Sequence, residues 1–370
     1  MFIDVHVLQT VPPSNINRDD TGSPKTAVYG GVRRARVSSQ AWKRATRTEF
    51  RGLIDPASLG VRTKRVVELL AERIGSAIPD ADARLAAAIQ VLKDAGIGLE
   101  KPRKRKEDAD DTVEQSKYLL FLSATQIDRL AQLAIASAGG TKIDKSAAKA
   151  AANGADSIDV ALFGRMVADS ADLNVDAAAQ VAHAISVHAV NNEFDYYTAV
   201  DDRAPEDNAG AGMIGVVEFN SSTLYRYATV NVAMLEKNLG DRAATVHAVE
   251  TFLKAFVRSM PSGKQNTFAN RTLPDAVVFS VRTDQPVNLV TAFEEPVEAL
   301  GAARAITAAK ALVDRYAAIE SAFGDGATAN FVVTTGDGAD ALGEIAVPVS
   351  FAAAVEGVTE RVRTALGVSS

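Results

Sequence analysis

A block of helical periodicity at residues 60–157 stands inside a chain that opens on a strand and returns to strands afterwards. This order limits the possible folds more than any other feature: a sheet whose strands are separated by so long a helical block must close without it, so the block reads as an insertion. Within it, Val66, Val67, Leu70 and Ile74 mark one amphipathic helix. Leu85, Ala88, Ile89 and Leu92 mark a second, and Ile127, Leu130, Ala131 and Ala134 a third. Between the last two, five cations followed by four anions run from Lys101 to Asp111 around Pro102, the pattern of a solvated loop. Gly139-Gly140 and Asn153-Gly154 bracket an Ala/Lys stretch that reads as a flexible loop or linker.

Outside the block, residues 2–8 alternate, with Ile3, Val5 and Val7 on one side and Asp4, His6 and Leu8 on the other, as in a half-buried strand. Pro12-Pro13-Ser14-Asn15 ends it and opens a loop reaching Tyr29, long enough for a compact domain to point to function. After the block, residues 159–167 form an apolar run with strand character, and a helix is expected through Ala177, Val181, Ile185 and Ala189. Extended arms at 194–200 and 213–219 flank a Gly/Pro/Asp-rich tip, the signature of a protruding β-hairpin. A strand at 224–232, an amphipathic helix from Val246 to Met260, a strand at 276–281, a helix from Ala302 to Tyr316, a strand at 331–335 and a closing helix from Val355 to Leu366 complete the chain. The fold class is α+β, a sandwich of ferredoxin or RNA-recognition type carrying a helical insertion.

Charge is distributed unevenly. The chain carries 40 Lys and Arg against 46 Asp and Glu, a net −6. Between Asn17 and Arg51, nine cations face only Asp19, Asp20 and Glu49, so this stretch is +6 and the remainder −12. A basic patch confined within an acidic molecule suggests a specific anionic partner held in one place, not general coating of nucleic acid. Gly30-Gly31 leads into an extended segment with Arg34 and Arg36 on the same side, then Ser38-Ser39 as N-cap, then a helix over residues 40–51. There Lys43, Arg47 and Arg51 recur at i, i+4 and i+8, with Gln40 and Arg44 flanking. A phosphate at the helix start would meet free amides, a Ser38 or Ser39 hydroxyl and the basic stripe together. A second polar, cationic loop surrounds Lys264.

Most catalytic constellations are missing. The chain has no cysteine, which removes disulfides, thiol nucleophiles and Cys-ligated zinc. His183 and His188, five apart, point away from each other on a helix, unlike a zincin pair. No Gly-x-Ser-x-Gly elbow, Walker loop or dinucleotide fingerprint occurs. Asp19-Asp20 is the one carboxylate pair beside the basic patch. It either orders the loop by pairing with the surrounding arginines or holds a divalent metal for strand scission, the basis of a competing reading as a metal-dependent ribonuclease. Tyr196, Tyr197 and Met166, which follows Arg165, are candidates for wedging against bases. No apolar run is long enough to span a bilayer and the opening residues lack a basic leader, so the expectation is a cytoplasmic protein with no membrane partner.

Taken in order, Asn17-Arg18-Asp19-Asp20, the run Gly30 to Gln40 followed by Lys43-Arg44, Asp159 to Met166, Tyr197 to Asp202, Tyr225-Arg226-Tyr227-Ala228 and Gly263-Lys264-Gln265 resemble one known family. It is similar to the backbone subunit of Cascade, the type I-E CRISPR RNA-guided surveillance complex, often called CasC. The resemblance implies an RNA-recognition-like palm at 1–59, 158–193 and 221–370, helical fingers at 60–157 and a hairpin thumb at 194–220. It implies copies stacked along a CRISPR guide RNA in a filament, other Cascade subunits as partners, and target DNA reached through the guide. It implies no catalysis and no cofactor or metal. The guide contacts it implies are Arg18, Lys25, Arg34, Ser38, Ser39, Gln40, Lys43, Arg44, Arg47, Arg165 and Lys264, with Met166 and Tyr197 as base wedges; Tyr197 stands where a phenylalanine is the family's usual residue.

Overall fold

The computed structural model describes residues 1–102, 113–154, 156–167, 170–199, 213–298, 303–324, 326–336 and 339–369. The chain divides into two compact units: Met1–Glu49 with Val181–Thr229 and Glu250–Ala365, and Phe50–Gln180 with Val230–Val249 and Leu366–Ser370.

The first unit is built about β1, Phe2–Ser14. It pairs antiparallel with the strand Ala276–Arg282, placing Val5 opposite Phe279, and that strand pairs antiparallel with Ala329–Thr334. On the other side of β1 lies the long strand Met213–Asn231, then Ala184–Ser186, then the hairpin of β2 (Thr26–Tyr29) and β3 (Val32–Val37), β3 innermost. Gly30-Gly31 closes this hairpin with φ of 59° and 78°, the doubly left-handed turn that matches the twist of paired strands. Helices cover both faces of the sheet. Leu8, Tyr225, Val278 and Val332 are buried with Leu312 and Val313 of the helix Arg304–Phe323. On the opposite face, the Phe279 ring lies 6.4 Å from that of Phe351, which opens the helix Phe351–Leu366. A Cβ on Gly357 would run into the Phe331 ring, so this glycine lets the helix approach.

The alternation of residues 2–8 is present, yet its polar side is not solvated. Asp4 and His6 are 0% and 1% exposed. Asp4 accepts hydrogen bonds from the Tyr227 hydroxyl and the Val287 amide, each at 2.9 Å, and pairs with Arg282 at 3.2 Å. His6 Nδ1 lies 2.9 Å from the Tyr225 hydroxyl. The expectation of a half-buried strand fails because a second helical layer covers that side; partners within the sheet offset the cost of burying polar groups there.

In the second unit, helices Val66–Ile74, Ala81–Asp94, Ala124–Ala138 and Lys145–Ala152 share one core. Alanines such as Ala88, Ala134, Ala148 and Ala152 are wholly buried, which allows close helix approach. Ser123 and Gln126 form a reciprocal capping box at the start of the third. The stretch read as a linker is therefore largely helix: Asp144 accepts from the Ser146 amide and starts it. The charge block falls mostly outside the described residues.

Two further expectations are corrected. Residues 159–167 begin as a helix, Ile158–Phe163, ended by Gly164 at φ 75°. The helix expected through Val181 and Ile185 is instead two short strands, Ala179–Val181 and Ala184–Ser186; Ile185 stands opposite both Arg36 of β3 and Tyr225. A short apolar run carries both periods, and the open sheet edges beside it decided the outcome. Among the described residues, no helix is long and apolar enough to cross a membrane.

Candidate nucleic-acid interface

The basic patch folds as loop, hairpin and helix within the first unit. Lys25 donates its amide to the Asn17 carbonyl at 2.9 Å, which folds the loop back on itself. Asp19 Oδ1 accepts from the Thr21 amide, the Thr21 hydroxyl and the Ser23 amide at 3.0, 2.7 and 3.0 Å. These bonds hold its carboxyl below the usual carboxylate range, led by the Thr21 hydroxyl. Asp19 thus orders the loop through hydroxyl and amide groups, not through the arginines. Among the described residues, no group of three or more His, Asp or Glu is gathered as a metal cluster.

Asn17 Oδ1 accepts from the Ser38 amide at 2.8 Å, so the loop is pinned to the start of α1, Ser39–Glu49. The buried side of α1 is Trp42 and Thr46, and Phe50 follows them inside. Trp42 lies against Arg226, and the Thr46 hydroxyl meets that of Ser259 at 3.3 Å. With that side fixed inward, Gln40, Arg44 and Thr48 face a groove of about 880 Å³. Ile16 to Asp19 form one end of it, and the segment from Ser259 to Gln265 with Arg271 forms the opposite wall.

Gly263 fixes that wall. A Cβ there would overlap the Ile16 carbonyl oxygen and stand 2.9 Å from that of Asn15. Lys264 follows in the left-handed region at φ 50°. Arg271 pairs with Glu49 across the groove at 3.6 Å. Among the described residues, Arg18, Arg44 and Lys264 carry no ion pair, so three unpaired cations line a concave surface of an acidic protein.

A family model described as CT1975-like protein matches residues 3–356. The chain belongs to that family. Among solved structures, this CT1975-like protein is similar to a chain of a "CRISPR RNA-guided surveillance complex, pre-nicking", at 35% identity and TM-score 0.86, covering 98% of this chain and 100% of that one. It is also similar to a chain of a "CRISPR RNA-guided surveillance complex", at 31% identity and TM-score 0.77, covering 98% and 100%. No curated protein matches it.

The CT1975-like chain gathers Arg18, Ser38, Gln40, Arg44 and Lys264 at the groove. Lys25 lies beside it, lining a small cavity with Asn17 and Arg36. Ser39, Lys43 and Arg47 are half-buried on the neighbouring side of α1, and burial pushes the Lys43 ammonium down. The stripe that faces the groove is thus Gln40, Arg44 and Thr48, one helical step from the expected one.

Two expected contacts change meaning. Arg34 is wholly buried, and its guanidinium donates to the carbonyls of Tyr29, Ser186, Phe293 and Glu294 at 2.9–3.1 Å. Arg165 is 5% exposed and donates to the carbonyls of Leu173 and Phe121 and to Gln126 Oε1 at 2.6, 3.2 and 2.9 Å. Both hold loops in place through carbonyl acceptors and are not open to a phosphate.

The wedge candidates differ. Met166, in the second unit, is 80% exposed at the turn that Gly164 and the buried Arg165 shape. Tyr197 lies on the strand Glu193–Ala199, which pairs antiparallel with the start of Met213–Asn231. Its ring lies over Gly215, in the space that a Cβ there would occupy, and it is 41% exposed. The hairpin tip, 200–212, falls outside the described residues. Glu218 at the root accepts from the Ser23 hydroxyl at 2.8 Å and from Asn192 at 3.1 Å, while its carbonyl accepts from Asn15 at 2.8 Å. The loop and the hairpin root are therefore joined by side chains far apart in sequence. Thr48, Ser259 and Arg271 escaped the sequence reading; no local motif marks them.

Proposed function

We propose that this protein is a noncatalytic backbone subunit of a CRISPR RNA-guided surveillance complex of the Cascade type, gripping the phosphates of the guide RNA in the groove between α1 and the Lys264 loop. The carrying observation is the convergence of unpaired Arg18, Arg44 and Lys264 on one concave surface of a chain with net charge −6. Similarity over nearly the full chain to subunits of two such complexes supports it.

In the finer reading, the first unit is an RNA-recognition-like palm. The sheet order supports this: the strand after the helix Arg242–Arg258 returns beside β1, which separates it from the strand before that helix. Copies stack along the guide in a type I-E filament with other Cascade subunits. Met166 and Tyr197 displace bases at intervals, and the segments between pair with target DNA. The cysteine-free composition fits a cytoplasmic complex.

The test is retention of guide RNA by the protein purified with its neighbouring gene products. Replacing Arg18, Arg44 and Lys264 together with alanine should weaken binding and flatten the log–log salt slope by about two, since each phosphate contact to a single strand contributes roughly 0.7. Unchanged retention and slope would overturn the assignment.

A further inference from the structure

The Arg36 guanidinium reaches across the sheet surface to His183, with Nη1 3.2 Å from His183 Nδ1. Its Nε is already committed to the Thr26 carbonyl at 3.0 Å, so the guanidinium plane is held, not free to swing. An arginine only donates, so in this contact Nδ1 must be the acceptor and the neutral ring carries its proton on Nε2. His183 is exposed, and the contact turns it into an oriented N–H donor beside a cation.

Lys25 completes the cluster. The Arg36 amide donates to the Lys25 carbonyl at 2.9 Å, and both side chains line the small cavity next to the loop that carries Arg18. Among the described residues, the charged groups facing His183 are Arg36 from β3 and Lys25 from the segment entering β2. Partial burial, joined by the charges of Arg36 and Lys25, pushes the imidazolium down.

We propose that Lys25, Arg36 and His183 form a second phosphodiester site beyond the groove, with the His183 Nε2–H as its directional donor, accepting the RNA phosphate that follows along the same strand. This rests on the guide-binding reading and extends it. Arg36 and Lys25 supply charge, and His183 supplies geometry. A bound phosphate counters the positive charge of Arg36 and Lys25 at the ring and favours its protonation, which releases the Arg36 contact at Nδ1 and keeps the Nε2–H donor, so RNA binding at this site takes up a proton. Affinity should therefore rise as pH falls through the histidine range.

The experiment titrates the full chain with an end-labelled single-stranded RNA at roughly pH 5.5 and roughly pH 7.5, which bracket an ordinary histidine. At the higher pH, His183→Ala should weaken binding about 3–10-fold, the net worth of one typical hydrogen bond. His183→Gln, which keeps a side-chain N–H, should recover most of that loss but none of the pH dependence. The urea midpoint of both variants should match the wild type, because the ring is exposed. His183→Ala binding as tightly as wild type at both pH values overturns the site. So does His183→Gln as weak as His183→Ala. The Arg18/Arg44/Lys264 alanine variant runs alongside: if it loses RNA while His183→Ala does not, the inference fails and the groove stands. If neither variant loses RNA, the guide-binding reading itself fails.

Discussion

Arg226 lies with its guanidinium carbon 3.7 Å from the centre of the Trp42 ring and 4.7 Å from that of Phe256, wholly inside the protein and, among the described residues, without a carboxylate partner. It donates instead to Gln9 Oε1 at 2.6 Å and to the Phe256 carbonyl. This buried cation clamps the underside of the helix whose outer side lines the groove. Trp42→Ala should cost about 3–5 kcal/mol, read from urea unfolding, because it removes a fully buried aromatic and strips the guanidinium of its stacking surface. A Trp42→Ala protein as stable as wild type would show that α1 is held by other means.

His6 predicts an acid-side loss of stability. Burial, helped by the Arg282 charge, pushes its pKa down to about 3. Between that value and an ordinary histidine pKa of about 6.5, the unfolded chain binds a proton that the folded chain refuses, so stability falls as pH falls. The slope from this one site reaches about 1.4 kcal/mol per pH unit. Asp4, whose carboxyl burial raises, acts in the opposite sense, since the fold takes up its proton before the unfolded chain does. His6→Gln should therefore flatten the acid limb of urea midpoint against pH with Asp4 intact. An unaltered limb would place the acid sensitivity elsewhere.

Gly263→Ala tests the wall of the groove. Its new methyl would meet the Ile16 and Asn15 carbonyls, which are backbone and cannot step aside. Overpacking of this kind costs about 1–3 kcal/mol and should displace the Lys264 turn. RNA affinity is expected to fall together with stability; full affinity would mean that the position of Lys264 is unimportant.

Met166 and Arg165 are adjacent and should behave oppositely. Met166→Ala, at an exposed site, should leave the urea midpoint within about 0.5 kcal/mol of wild type while weakening ordered RNA binding by the assembled protein. Arg165→Met should cost about 3–5 kcal/mol by leaving the Leu173 and Phe121 carbonyls and Gln126 without their donor. Similar midpoints for the two variants would contradict the division between anchor and wedge.

Long periodic segments were readable from sequence: the helices built on Val66 to Ile74, Ile306 to Tyr316 and Val355 to Leu366, and the strands of residues 2–8 and 276–281, stand where periodicity puts them. What was not readable depended on neighbours. Ile185 carries either period, and pairing with β3 made it a strand. Arg34 and Arg36 share a side in sequence, yet Arg34 enters the interior because the carbonyls of Phe293 and Glu294, brought from over two hundred residues away, meet it there. Which side of α1 lines the groove was unreadable for the same reason: it is set by Trp42 finding Arg226, and a helical wheel of α1 alone carries no trace of that partner. Charge density located the patch; only packing could say which charges are open.

The joint at Glu218 bears on how such proteins could be recombined. Because Ser23, Asn192 and Asn15 all converge on this one residue, the basic loop and the hairpin root form a single mechanical piece. A hairpin grafted from a relative without a carboxylate at that place would arrive uncoupled from its loop. The exchangeable module of this chain is therefore the loop and the hairpin together, and chimaeras should be cut outside both.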